Sequence, residues 1–180
     1  MISVVAERYA EALFQVGEET NSTTKLYEEL NAVVDILKSN KDFFNVLKSP
    51  LVGKGEKRDL VEKVLGAELS SNLKNFLKIM IDKDRMTAIE AVLKSFKTLL
   101  NEKNNIIEGI AITAIAMSQD ELKELEAKLS SKYNKNVTLE NKVDESVLGG
   151  VLVRLGNEEI DGTVKTRLAK MKESLSQVIS

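Results

Sequence analysis

The sequence predicts a mainly α-helical protein in two parts: an N-terminal six-helix bundle, then a small α/β C-terminal domain with a short sheet and a long terminal helix. Three observations lead there. Up to about Asn105, apolar residues recur at helical spacing in six segments separated by short polar breaks, with no strand-like alternation. After Asn105, β-branched and partly alternating runs appear at Ile106–Thr113, Val137–Glu140 and Val151–Leu155. A single proline in 180 residues leaves little to interrupt helices. The domain limits are therefore set at residues 1–105 and 106–180.

The first helix spans Val4 to Glu18, with Ser3 as its expected N-cap. Val5, Tyr9, Ala12 and Val16 form one apolar stripe, and Ala6, Ala10, Leu13 and Phe14 widen it. The plainer reading, which we favour on sequence grounds, is a helix buried on most sides. The alternative sets one stripe on the core and the other against a partner helix. Asn21 to Thr24 is a polar break whose Ser or Thr suits a cap. Helix two follows from Lys25 to Lys38 with a single seam of Leu26, Leu30, Val33 and Leu37. A short third helix, Lys41 to Lys48, presents Phe43, Phe44 and Leu47 and is stopped by Pro50, because a residue before proline avoids the helical region. Gly53 to Gly55 reads as a flexible joint. Helix four runs from Glu56 to Leu65 with Leu60, Val61, Val64 and Leu65 inward, and Gly66 suits its C-terminal cap. Helix five, Leu69 to Asp82, has an apolar set too wide for one face: Leu69, Leu73, Phe76, Leu77, Ile79, Met80 and Ile81. After a charged turn, Thr87 is the expected cap of helix six, which carries Ile89, Val92, Leu93, Phe96, Leu99 and Leu100.

In the second part Ile106 to Thr113 predicts a strand. Ser118 with Glu121 three residues on is a capping-box pattern, opening a helix to about Ser131 with Leu122, Leu125 and Leu129 inward. Val137 to Glu140 predicts a second strand. Val151 to Leu155 and Glu158 to Ile160 predict a hairpin around Gly156-Asn157. Asp161-Gly162-Thr163 switches the period to that of a helix, which runs to about Ile179 with Val164, Leu168, Met171, Leu175 and Val178 on one seam.

Composition narrows the function classes. With no Cys there is no disulfide or thiolate chemistry, and with no His the commonest metal ligand and general base are missing. No metal, cofactor or catalytic residue is expected. Basic and acidic side chains balance in residues 1–105 and nearly so beyond, for a net charge of −2, so nucleic acid is a poor partner. No apolar run approaches the roughly 18–20 residues that span a bilayer, and no leader pattern opens the chain. At 4% aromatic content without Trp, the core is expected to be aliphatic.

Two motifs invite chemistry and fail on context. Gly149-Gly150 lacks the lysine and following helix of a phosphate loop, and precedes a strand, so a bend or close backbone approach is the better reading. Glu158, Glu159 and Asp161 pair carboxylates, but at a hairpin tip and a helix start, where exposed turn charge and helix capping account for them. The bases Lys165, Arg167, Lys170 and Lys172 read as the polar face of the last helix.

The segment Val147-Leu148-Gly149-Gly150-Val151-Leu152-Val153-Arg154, then Ile160-Asp161-Gly162-Thr163-Val164, then Arg167-Leu168, resembles the C-terminal signature of the δ subunits of bacterial F-type ATP synthases. Their mitochondrial counterpart is the oligomycin-sensitivity-conferring protein. The resemblance extends over the chain: Val5 to Phe14 is similar to the family's first helix, and Phe76 to Met80 with Arg85 to its fifth. It implies a non-catalytic stator connector of a peripheral stalk. Such a protein sits peripherally on the cytoplasmic face of the bacterial plasma membrane and meets the membrane only through the complex. It joins the N-terminal helix of a catalytic-head α subunit to the peripheral-stalk b subunits during proton-driven ATP synthesis. The excess apolar width of helices one and five, supported by the resemblance, gives a shared groove of Ala6, Tyr9, Ala10, Leu13, Phe76, Ile79 and Met80 for the α-subunit helix. The signature residues Gly149, Gly150, Arg154, Asp161, Gly162 and Arg167 belong to the stalk-side half. No cofactor is implied.

Overall fold

The computed structural model describes residues 2–65, 69–156 and 158–179, with side chains described for residues 4–172 of these. The expected cap at Gly66, the turn residue Asn157 and the side chains of Leu175 and Val178 lie outside them. The fold is mainly α-helical with a small four-stranded sheet in its C-terminal part. The chain divides into two compact units, Met1–Leu100 and Asn101–Ser180.

The first unit holds α1 (Ile2–Glu19), α2 (Thr23–Ser39), α3 (Lys41–Lys48), α4 (Lys54–Leu65), α5 (Ser71–Asp82), a 3₁₀ turn (Met86–Ala88) and most of α6 (Ile89–Lys103). The seam of α2 is the spine: Leu26, Leu30, Val33 and Leu37 are each at most 1% exposed. Around it pack Ala6, Ala10 and Leu13 of α1, Leu73, Leu77 and Met80 of α5, and Ile89 and Val92 of α6. The core is aliphatic apart from Phe76 and Phe96, the latter buried between Phe14, edge-on at 5.5 Å, and Tyr27, stacked at 6.4 Å. Gly17 lets α1 close on α2, since a Cβ there would lie 2.9 Å from Thr23 Cγ2 and 3.1 Å from Thr23 Cα. Asn21, Asp84, Asn105 and Asn134 take left-handed backbone angles at turns, a conformation their short polar side chains tolerate.

Several local expectations are corrected. Helix α1 starts at Ile2, so Ser3 lies inside it rather than capping it. Ser22 holds the N-cap position of α2 without a capping bond, its hydroxyl being paired with that of Thr20. Gly55 is within α4, not in a joint before it. Helix α5 starts at Ser71, because Ser70 caps it by accepting from Leu73 N while donating to Glu29 Oε2 of α2 at 2.6 Å. Thr87 lies in the 3₁₀ turn and α6 begins only at Ile89. On α4, Val64 is 53% exposed while Lys57 is buried at 2%. The Lys57 stem fills the place a hydrophobe was expected to take, and its ammonium points toward Asp84, 3.9 Å away.

The second unit orders its strands β2-β1-β3-β4, with β1 (Ile106–Thr113), β2 (Asn136–Val143), β3 (Val151–Leu155) and β4 (Glu158–Asp161). Strands β1 and β2 are parallel, joined through α7 (Gln119–Tyr133), and the β1–β3 and β3–β4 pairs are antiparallel. The capping box forms as expected at Ser118 and Glu121. Helix α7 also covers the outer edge of β2: Ser130 Oγ accepts from Val137 N at 2.9 Å and Glu126 Oε1 from Leu139 N at 2.7 Å. An edge whose amides are satisfied in this way no longer templates pairing with another chain. Gly109, in the middle of β1, leaves room for the cross-strand backbone: a Cβ would meet Arg154 O at 2.6 Å. The core is small, built on Ala111, Leu129, Val137, Leu139, Val153 and Leu155. Helix α8 (Val164–Ile179) follows β4, and its seam residues Val164, Leu168 and Met171 are 42%, 60% and 61% exposed.

Candidate functional site

Helices α1 and α5 are neighbours, joined where the Tyr9 ring meets Phe76 edge-on at 6.1 Å. Of the seven groove residues read from sequence, Ala6, Ala10, Leu13, Phe76 and Met80 are buried within the bundle core. Tyr9 is half-buried and Ile79 is 51% exposed. The physical reason is helix spacing. Alanines at positions 6 and 10 are small enough to let α1 sink against its neighbours, so that face is consumed by packing. The other stripe of α1 stays at the surface: Val5 and Tyr9 are half-buried, and Ala12 and Val16 are exposed. The helix is therefore not buried on most sides: one apolar stripe meets the core and the other lies at the surface. Val5, Tyr9 and Ala12 line a cleft of about 440 Å³ whose remaining walls are Arg8, Lys83 and Arg85. Ile79 sits one turn before Lys83 on α5 and three residues after Phe76, which places it beside the same surface.

The C-terminal signature is an architectural knot. Gly150 has φ +81°, and a Cβ on it would lie 2.4 Å from Gly162 O and 2.9 Å from Thr163 Cα. Gly162 N donates to Val151 O at 2.9 Å and Val164 N to Gly149 O at 3.0 Å, so the start of β3 and the start of α8 are strapped together on both sides of that contact. Thr163, not Asp161, caps α8: its Oγ1 accepts from Thr166 N at 3.4 Å. Asp161 instead braces the turn, accepting from Thr163 N at 2.8 Å and from Thr166 Oγ1 at 2.6 Å. Arg154 reaches across the hairpin to Glu159 at 2.8 Å, and Glu158 accepts from the Tyr133 hydroxyl at 2.7 Å. The side chain of Arg167 is exposed. Gly149, Gly150, Asp161 and Gly162 thus fix where α8 begins, while Arg154 belongs to the hairpin.

The hydrogen bond from Thr166, followed by those from Thr163, holds the Asp161 carboxyl below its ordinary value of 3.8. A carboxyl depressed in the folded state stabilises it above the unfolded value and loses that contribution as pH falls through the folded value. Asp161→Asn should therefore lower the stability of the second unit at neutral pH. The difference from wild type should shrink as pH drops below 3.8. Urea unfolding followed at several pH values measures it, and a difference that stays constant down to the acid limit would remove the carboxylate from this role.

A family model described as ATP synthase delta (OSCP) subunit matches residues 5–175. The chain belongs to that family. It is 64% identical to ATP synthase subunit delta of Clostridioides difficile (strain 630) over 181 aligned residues, covering all of both chains. It is 41% identical to the subunit of the same name from Alkaliphilus metalliredigens (strain QYMF), covering 99% of each. Among solved structures, a chain of the Toxoplasma gondii mitochondrial ATP synthase hexamer has the same fold, with a TM-score of 0.70 at 22% identity over 97% of each chain. The protein is thus a δ (OSCP) subunit of the F-type ATP synthase. Among the described residues, no helix is long and apolar enough to cross a membrane.

The groove list drawn from sequence lacks Val5 and Ala12, which belong with Tyr9 to one apolar stripe of α1, and the basic residues Arg8, Lys83 and Arg85, all of which line this cleft. The signal for the first two was present in the two-stripe pattern of α1. The bases carried none, because a lysine or arginine on a helix flank reads as ordinary solvated surface.

Proposed function

We propose that this subunit is a non-catalytic connector of the stator. The α1–α5 face takes the N-terminal helix of a head α subunit, and the C-terminal unit, through α8 and the knot that orients it, takes the peripheral-stalk b subunits. The rotor turns inside the head, and the connector keeps the head from turning with it. It works peripherally, at the cytoplasmic face of the plasma membrane, and touches the membrane only through the complex. Neither task needs a bound cofactor. A close-packed bundle suits the load, since protein interiors of this kind yield little under stress.

The observation that carries the reading is the half-open apolar stripe of α1, Val5, Tyr9, Ala12 and Val16, lying beside exposed Ile79 in a chain of this family. An apolar stripe at helical spacing fits a partner helix read through i, i+3, i+4 and i+7 anchors. The uncovered seam of Val164, Leu168 and Met171 offers the second unit a separate surface of the same kind.

Tyr9→Ala separates docking from folding. The ring is half-buried against the bundle core, edge-on to Phe76, and its remaining surface lines the cleft. Affinity for the α-subunit N-terminal peptide should fall by on the order of 1–2 kcal/mol or more. The folded state should lose about 1–2 kcal/mol, for the aromatic pair and the half-buried ring area. Isothermal titration and thermal unfolding on the same variant give both numbers. A stability loss of about 3 kcal/mol with unchanged affinity would make Tyr9 a core residue and take it out of the site.

A further inference from the structure

The cleft beside Tyr9 is walled by charge of one sign. Arg8 comes from α1, and Lys83 and Arg85 from the turn that follows α5. All three are exposed, and none has a carboxylate partner among the described residues. Opposite charges stand close by in sequence but are directed elsewhere. Asp84 is held by Lys54 at 3.0 Å and faces Lys57 at 3.9 Å. Asp82 lies 2.6 Å from Arg58, in ion-pair contact without hydrogen-bond alignment, and its carbonyl accepts from Lys54 at 2.6 Å. Both acids of the turn are thus spent on α4, and the pairing leaves Lys83 and Arg85 turned to the cleft. On α1, Glu7 and Glu11 line a different cleft with Ser95, Thr98 and Leu99 of α6.

We propose that this basic wall sets the specificity of docking. The occupant is an amphipathic helix whose apolar stripe lies on Val5, Tyr9 and Ala12, and whose aspartates or glutamates, beside that stripe, meet Arg8, Lys83 and Arg85. Unpaired cations around an apolar floor favour a helix that carries carboxylates beside its apolar stripe and reject a basic one. The inference rests on the reading that this face takes the head α-subunit helix, and it adds the charge that this helix must carry.

The test uses the full chain and, as probe, a synthetic peptide of the α-subunit N-terminus from the same organism, titrated from about 50 mM to about 500 mM NaCl. The wild type should lose affinity by on the order of 10-fold across that range. The triple variant Arg8→Gln, Lys83→Gln, Arg85→Gln should bind on the order of 10-fold more weakly at low salt, with little further salt dependence. A peptide with its acidic residues changed to the corresponding amides should show the same loss on the wild type and no additional loss on the triple variant. Tyr9→Ala should weaken binding while keeping the salt dependence. A peptide that binds the wild type with a salt-independent constant, and the triple variant equally well, overturns the charged-wall proposal and leaves the docking reading standing. A peptide that fails to bind the wild type at any salt overturns both. The peptide arm uses unaltered protein, so it decides the matter even if the triple variant folds poorly.

Discussion

Gly150→Ala should destabilise the C-terminal unit by on the order of 3 kcal/mol or more, a loss at the upper end for a single added methyl group. Two effects combine. The backbone at Gly150 has φ +81°, where an L side chain is strained. The new Cβ would also sit 2.4 Å from Gly162 O and 2.9 Å from Thr163 Cα. Those neighbours are main-chain atoms, so no rotamer change relieves the contact. Relief requires parting β3 from the start of α8, which breaks the bonds from Gly162 N to Val151 O and from Val164 N to Gly149 O. Two other glycines separate the causes. Gly156 has φ +56° with nothing within 4 Å of an added Cβ, so Gly156→Ala isolates the backbone strain and should cost about 1 kcal/mol. At Gly149 the nearest atom is Val164 Cγ2 at 3.3 Å, a side chain able to shift, so its substitution should fall between the two. Urea unfolding with amide exchange read in β1 and β3 reports on this unit directly, while exchange in α2 should stay unchanged. If Gly150→Ala costs no more than Gly156→Ala, the close approach is not what this glycine is for.

The contrast among these glycines shows what the sequence could and could not convey. The paired glycine before a β-branched run was legible as a close backbone approach, but its partner, Gly162, lies eleven residues past Val151 and is joined only by the hairpin. Gly109 was passed over because a lone glycine in a strand carries no mark of what crosses beside it, here Arg154 O and Leu155. Strand β1 and helix α3 were read to their observed limits because alternation or spacing and their boundary residues agreed. Helix starts were read less well. Ser3, Ser22 and Thr87 have the right chemistry for caps, yet whether a hydroxyl caps depends on the φ and ψ of its own residue and on competing partners, as the Thr20 hydroxyl competes for Ser22. The burial of Lys57 in place of Val64 was invisible for a related reason: it depends on Asp84 arriving from another helix end. In the candidate docking face, periodicity singled out two helices that are neighbours in the fold, α1 and α5, and could not say which of two apolar stripes on α1 the bundle would use. That choice was made by residue volume, the alanines going inward where helices approach closely.

A fragment ending at Asn105 should stay folded and keep one of two functions. Helices α1 to α6 end at Lys103, and the buried core cluster of this unit runs from Ala6 to Phe96. The fragment should therefore unfold cooperatively with a largely helical spectrum, and it should bind the α-subunit N-terminal peptide within about threefold of the full chain, since single-domain cores of this size fold alone. It should fail to bind the soluble part of the b subunits, because α8 with its exposed seam of Val164, Leu168 and Met171 is gone, together with the knot that aims it. The consequence in the assembled enzyme follows from mechanics. Membranes carrying the fragment in place of the full chain should hydrolyse ATP, since the catalytic sites are in the head. They should not couple that hydrolysis to proton pumping, because a head free to turn does no work against the rotor. A pull-down on immobilised b subunit, paired with ATP-driven quenching of a pH-sensitive dye in membrane vesicles, reads both ends of the argument. Full b-subunit binding by the fragment would mean that the two units have been assigned to the wrong partners. Loss of α-peptide binding with the bundle still folded would mean that the docking face needs residues from the second unit.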